Sequence, residues 1–322
     1  MCNNNNSLGC IFITKINENF MKLFSVKKAL IFLLFNSVLT YSQVKDMFSK
    51  PTELHTISER WELTPESSNG TFLITPYKSI YVLPANWYSS PNEHPYSGNG
   101  KPEYVAPPGT NYNNIETKFQ LSFKTKILHN ALFGKGDLWV GYTQESQWQI
   151  YNESLSRPFR EINYEPEVIF NYPLNFKFLG FNMRMAGVAF NHESNGKGLP
   201  FSRSWNRIIF HLGFDRDNWS VYVRPWFRLR SKKDDNPDIA QYIGRGDINI
   251  IYTNSKSIFT FTGSNNLSFN RNRGNAAFSW SYPIVGNLKG FLLATHGYGE
   301  TLIDYNNLQT TIGVGVSLVG PL

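Results

Sequence analysis

Long apolar runs are scarce in this chain of 322 residues. One run, 29–39, is too short to anchor a helix across a bilayer, which takes about 20 apolar residues. Charged residues make up only 17%, and runs of Ala, Glu and Leu are few, which argues against a helical enzyme. Cysteine is limited to Cys2 and Cys10, both ahead of the expected mature start, so the working protein has neither a thiol nor a disulfide. Basic excess is modest too. Residues 1–42 hold four lysines and one glutamate, so the formal charge of +7 falls to +4 beyond them, 27 basic groups against 23 acidic. That balance carries no nucleic-acid signal; it suits a solvated surface or acidic lipid headgroups.

Aromatic residues are plentiful at 16%, and Gly and Asn are common, which favours an all-β chain. A mean hydropathy of -0.34 is polar overall, but a membrane barrel alternates polar and apolar residues and averages to the same value. Segments of about ten residues do alternate. Phe119, Leu121, Phe123 and Ile127 oppose Lys118, Gln120, Lys124 and Lys126, while Val221, Val223, Phe227 and Leu229 oppose Tyr222, Arg224, Arg228 and Arg230. About twelve such segments run from 79–87 to 310–319. Tight turns at 171–176, 215–218 and 253–256 alternate with longer polar links at 89–116, 149–163, 231–241 and 297–309. Short periplasmic turns and long outer loops are the habit of bacterial outer-membrane barrels. The expected fold is therefore an all-β transmembrane antiparallel β-barrel of about 12 strands with a short periplasmic N-terminal leader.

Residues 21–42 read as a signal peptide: Met21, then basic Lys22, Lys27 and Lys28, then the apolar run. Residues 1–20 precede it in the wrong order for a signal, so translation is expected to begin at Met21. Residues 43–70, polar with scattered Leu54, Ile57, Trp61 and Leu63, form an amphipathic leader or plug, and 71–322 the barrel. No second-domain linker or longer repeat interrupts it.

The chemistry centres on 190–207. His192 and Ser194 are two residues apart and share a strand face with Ala186, Val188 and Phe190; across a hairpin at 195–201, Asn206 shares its face with Ile208, Phe210 and Leu212. Arg203, Arg207 and His211 take the opposite phase. The polar candidates thus sit on the apolar face, which makes sense if that face meets lipid and the lumen is polar. A serine hydroxyl becomes a nucleophile when a base takes its proton, and histidine is the usual partner. Asn206 can fix the ring's tautomer, and Gly196 can bring a main-chain N–H to an oxyanion. Spacing alone also allows an ordinary pair of polar strand-end residues.

Other chemistries fare worse. Gly196 stands where a His-Glu zinc protease needs its second histidine, and Ser194 lies outside a Gly-x-Ser-x-Gly elbow. Asp234, Asp235 and Asp238 lack calcium-loop spacing. Gln144 is in phase with Leu138, Val140 and Tyr142 on an apolar face, where a polar group needs a partner such as a second subunit or water above the hydrocarbon.

Several longer blocks carry a family resemblance: His192-Glu193-Ser194-Asn195-Gly196, Ser202 to Arg207, Arg157 to Glu161 with Asn163 to Pro166, Asp234 to Asp238, and Gly297 to Glu300 with Leu302 to Tyr305. In this order they resemble the outer membrane phospholipase A family, over a span from about Thr71 to the C-terminus. The resemblance implies hydrolysis of membrane phospholipids, with Ser194 as nucleophile, His192 as base and Asn206 as orienting residue. It also implies calcium (Ca2+) activation at a homodimer interface. Ser202 would bind calcium through its side chain and Lys197 through its carbonyl, with the carbonyl of the partner subunit's Ser156; Gln144 matches a polar interface residue. Two departures stand out: Leu199, where some family members carry an aspartate, argues against a second calcium site, and Gly320-Pro321-Leu322 replaces an aromatic end. The competing readings are a non-enzymatic porin or structural barrel, and an esterase of soluble esters.

Overall fold

A computed structural model describes residues 56–107 and 109–319 of the chain. The expected start at Met21, the signal segment 21–42, residues 43–55 of the leader and the end at 320–322 lie outside the described residues.

Among the described residues the alternation becomes thirteen strands: β1 Ile74–Pro76, β2 Ile80–Tyr88, β3 Ile115–Leu128, β4 Asp137–Trp148, β5 Glu161–Phe178, β6 Phe181–Ser194, β7 Ser204–Arg216, β8 Trp219–Leu229, β9 Gly246–Asn254, β10 Ser257–Asn265, β11 Gly274–Val285, β12 Leu288–Gly297 and β13 Gln309–Val319. From β2 onward each pairs antiparallel with its sequence neighbour, and β13 returns to β2, so the ring closes. Both β1 and β2 pair along β3, Ile74 opposite Thr125 and Tyr81 opposite Gln120. They are one barrel strand interrupted at 77–79, which gives the expected twelve.

One turn was misplaced by the sequence pattern. Residues 171–176, expected as a tight turn, belong to β5, and the reversal comes at Leu179 and Gly180, both at positive φ. A register shift between Pro173 and Phe176 absorbs the proline inside the strand. Two-residue turns at 179–180, 217–218, 255–256 and 286–287 gather at one end with 129–136; the longer loops 89–114, 149–160, 195–203, 230–245, 266–273 and 298–308 gather at the other.

The faces are inverted relative to a soluble barrel. Leu121, Phe123, Val140, Val168, Val188, Phe190, Phe210, Phe227, Phe261 and Val314 are exposed on the outer wall, whereas Lys118, Lys124, Lys126, Glu116, Glu167, Arg207 and His211 are buried in the lumen. Charges so enclosed are tolerable only when paired. Lys118 reaches Glu300 at 2.7 Å and Glu145 at 3.2 Å, Arg224 reaches Asp247 at 2.7 Å, and Lys126 bridges Glu62 at 2.8 Å and Asp137 at 2.9 Å. Aromatic pairs, Trp219 with Tyr252 and Phe259 with Trp280, sit on the short-turn side, as in an interfacial girdle. This is an integral outer-membrane barrel.

The described part of the leader enters the lumen near the short turns. Helix α1, Ile57–Arg60, is started by a capping box in which the Glu59 N–H donates to Thr56 Oγ1 at 3.3 Å and the Thr56 N–H donates to Glu59 Oε2 at 2.7 Å. Its turn delivers Ile57 and Trp61 to the interior, 0% and 1% exposed. The Trp61 ring packs edge-on against Tyr77, Trp139 and His211, and the Lys124 ammonium lies 3.7 Å from its centroid. Small barrels fill with side chains; here part of the filling is the chain's own leader.

Candidate active site

β6 and β7 present the candidate residues because their register pairs His192 with Asn206 and Ser194 with Ser204. All lie at the long-loop end, on the wall that carries Val188, Phe190 and Phe210. Directly opposed side chains on one face of an antiparallel pair are within contact range. His192 Nδ1 and Asn206 Oδ1 are accordingly 2.8 Å apart. An amide oxygen can only accept, so Nδ1 carries the proton and Nε2 is left with its lone pair. Ser194 shares that outward face two residues along, but no hydrogen bond joins its hydroxyl to the ring. Catalytic hydrogen bonds are often long before substrate binds.

Behind this wall the lumen locks the two strands together. The Arg207 guanidinium donates to Asn191 Oδ1 at 2.9 Å and to Glu193 Oε2 at 2.8 Å, and it stacks 4.0 Å from the Trp205 ring centroid. Any slip of β6 on β7 would break this layer and the His192–Asn206 bond together.

Gly196 follows at φ +65°, a conformation that a side chain would strain, and an added Cβ would stand 3.1 Å from the Tyr164 ring. Its N–H has no acceptor among the described residues, and the residue is exposed. The rest of the loop is tied inward. Buried Asn195 bonds the main chain at Lys197, Phe201 and Arg203. Buried Arg203 donates to the carbonyls of Pro200 and Ser202. Burial lowers the Arg203 pKa below the ordinary guanidinium value, with Tyr305 and Glu161 opposing the shift. Burial, and then a hydrogen bond to Asp238, pushes the Tyr305 phenol up.

The expected calcium donors fall in two loops, 149–160 and 195–203. Ser202 Oγ donates to Asp235 Oδ2 at 2.6 Å, which leaves the hydroxyl lone pairs available. The Lys197 ammonium pairs with Glu161 Oε2 at 2.9 Å. Ser156 lies in another loop, its carbonyl accepting from Trp148 Nε1 at 2.7 Å. That loop is pinned to the outer wall where Phe159 packs on Phe119 and Trp148. Within one chain Ser156 does not join Ser202 and Lys197 in a hydrogen-bonded cluster. The aspartates act as loop clamps: Asp234 pairs with Arg228, Asp235 also accepts from Tyr104, and Asp238 accepts from Tyr305.

Gln144 lies on the same outer wall, and register links it directly to the site: Ser194 pairs with Tyr164, and Tyr164 with Gln144. Two strand spacings put them roughly 10 Å apart. Gln144 is bonded locally, accepting from the Tyr142 hydroxyl at 3.0 Å and donating to Ser146 Oγ at 3.2 Å. Sequence reasoning passed over the central role of Asn195, for which the Asn-Gly turn signal after Ser194 was the available clue.

A family model for phospholipase A1 matches residues 57–318. The phospholipase A1 of Klebsiella pneumoniae is 37% identical over 253 residues, which is 79% of this chain and 85% of the relative. Among solved structures, the Salmonella typhi outer membrane phospholipase dimer with bound calcium matches with a TM-score of 0.70 at 35% identity, covering 79% of this chain and 94% of that one. An asparagine-to-alanine active-site mutant of Escherichia coli outer membrane phospholipase A matches with a TM-score of 0.72 at 33% identity, covering 82% and 99%.

Proposed function

The chain belongs to the phospholipase A1 family of carboxylic ester hydrolases, and from that premise we propose that it cleaves acyl esters of membrane phospholipids and lysophospholipids through an acyl-serine on Ser194. The observation that carries this reading is the His192–Asn206 hydrogen bond on the lipid-facing wall, with Ser194 beside it. In the first half-reaction the Ser194 hydroxyl oxygen attacks the acyl carbon and its proton passes to His192 Nε2. The protonated ring then returns the proton to the departing alkoxide of the lipid as the ester bond breaks. Water, deprotonated by the same nitrogen, attacks the acyl-serine; the proton then passes from Nε2 to the departing Ser194 oxygen, and fatty acid is released. The Gly196 N–H is the proposed oxyanion donor.

Calcium fits the donors present, since hard cations prefer oxygen and every proposed ligand is one: the Ser202 hydroxyl, the Lys197 carbonyl and the carbonyl of the partner subunit's Ser156. When bound, the ion supplies positive charge beside the developing oxyanion. A homodimer is the proposed active form. It would bring in the third donor and set Gln144 against its counterpart on the second barrel, and the bound calcium dimer of the Salmonella typhi relative supports it. Monomeric protein as active as the crosslinked dimer would contradict it. The long-loop end is proposed to face the outer leaflet, and the short-turn end, where the leader enters the lumen, the periplasm.

Phospholipid hydrolysis in mixed micelles tests the whole reading, with calcium or chelator, for wild type and Ser194→Ala. Calcium-dependent fatty-acid release that vanishes in the variant is expected. Equal release from both folded proteins would overturn the nucleophile, and activity confined to short soluble esters would favour the soluble-ester esterase.

A further inference from the structure

Among the loop residues at the site, Asn195 has all of its side-chain hydrogen-bonding capacity in use. It is 3% exposed. Oδ1 accepts from the N–H groups of Lys197 at 3.3 Å and Arg203 at 2.9 Å, and Nδ2 donates to Glu161 Oε1 at 3.0 Å and the Phe201 carbonyl at 2.9 Å. Its own N–H donates to the Arg203 carbonyl at 3.1 Å. One amide thereby fastens the first half of the loop to the second, and both to β5. An aspartate has no N–H for Phe201 or Glu161 and would set its charge against the buried Glu161 carboxylate.

The groups it fixes flank those the reaction needs. Gly196 lies at positive φ between Asn195 and the tethered Lys197 N–H, and its own N–H has no acceptor among the described residues. Lys197 and Ser202 are the proposed calcium donors, and Ser202 directly precedes the tethered Arg203 N–H. Resting on the reading in the preceding section, we propose that Asn195 is a positioning residue of the hydrolysis. Its amide holds the loop so that the Gly196 N–H meets the oxyanion while the Lys197 and Ser202 oxygens share one cation. It touches neither substrate nor ion.

The test compares wild type, N195A, N195D and S194A as refolded, detergent-solubilised full barrels, with folding checked by far-UV circular dichroism. Four quantities are read: kcat, KM, labelling of Ser194 by a fluorophosphonate, and calcium affinity by isothermal titration without substrate. N195A and N195D should lose about 10²-fold in kcat. Their KM should stay within about twofold. Labelling should slow, and calcium should bind at least tenfold more weakly, on the order of the effect of losing supporting hydrogen bonds around a metal site. N195S, which retains a hydroxyl in place of the amide, should fall between wild type and N195A, and it serves as the comparison if N195A refolds poorly. Folded N195A or N195S with wild-type kcat and calcium affinity overturns the inference while leaving Ser194 untouched. A rise in KM equal to the fall in kcat/KM, with labelling unchanged, also overturns it. Wild-type hydrolysis by S194A brings down the nucleophile and this inference with it.

Discussion

His192 on β6 and Asn206 on β7 are register partners, and that one pairing sets ring Nδ1 2.8 Å from the amide oxygen. The bond assigns the proton to Nδ1 and the basic lone pair to Nε2. Asn206→Ala frees the ring to rotate and change tautomer, and kcat should fall about 10²-fold with KM nearly constant. Asn206→Asp keeps the acceptor and should retain much more activity than the alanine variant. Steady-state kinetics on the two variants decides it, since equal losses would mean that the amide group itself is needed.

Ser202 is the one side-chain donor in the proposed calcium set, and its hydroxyl is held by Asp235. In Ser202→Ala the calcium concentration for half-maximal activity should rise at least about tenfold, with the maximal rate at saturating calcium recovered in part. Titrating activity against free calcium measures this. Chelator should silence wild type reversibly, and an unchanged midpoint in the variant would remove Ser202 from the site.

At the other end of the barrel, Trp61 buries its ring against Tyr77, Trp139 and His211. Trp61→Ala leaves a hole that these rings cannot close, so unfolding by denaturant should be easier by about 3–5 kcal/mol. The rate per folded molecule should stay at the wild-type value, because the plug lies at the short-turn end, away from His192 and Ser194.

Glu62 gives the plug a pH dependence. Burial raises its pKa, but hydrogen bonds from Lys126 and Asn69, with the Lys126 charge, outweigh burial and hold it below the ordinary 4.5. A carboxylate with a depressed folded pKa contributes its stabilisation in full above its unfolded value and loses it as pH falls through the folded one. Stability should therefore be flat with respect to this group above about pH 5 and decline below it. Other carboxylates titrate in the same range, so the readout is the difference between wild type and Glu62→Gln. That difference should shrink on acidification, as followed by Trp fluorescence.

Much of this was legible in the sequence, for a physical reason. A barrel wall with lipid on one side and a polar lumen on the other imposes strict alternation, so Leu121 and Phe123 against Lys118 and Lys124 gave the faces directly. The inverted phase of His192, Ser194 and Asn206 could be read the same way. The turn expected at 171–176 is strand instead: proline usually ends a strand, but at Pro173 a register shift accommodates it. The lumen was harder. Trp61 reads as one scattered aromatic, because its partners Trp139 and His211 are brought to it by closure of the whole ring. The Asn195 bonds were hidden likewise, since residues 161 and 203 meet 195 only after β5 and β7 have flanked β6.

The outward face of His192, Ser194 and Asn206 has a consequence for how the rate is set. A substrate reaching that wall travels within a leaflet, so encounters scale with molecules per unit of membrane area and not with bulk concentration. The two barrels of the proposed dimer meet under the same planar statistics. Diluting the protein into more lipid at constant volume should therefore quench it, while diluting the vesicles in buffer should not.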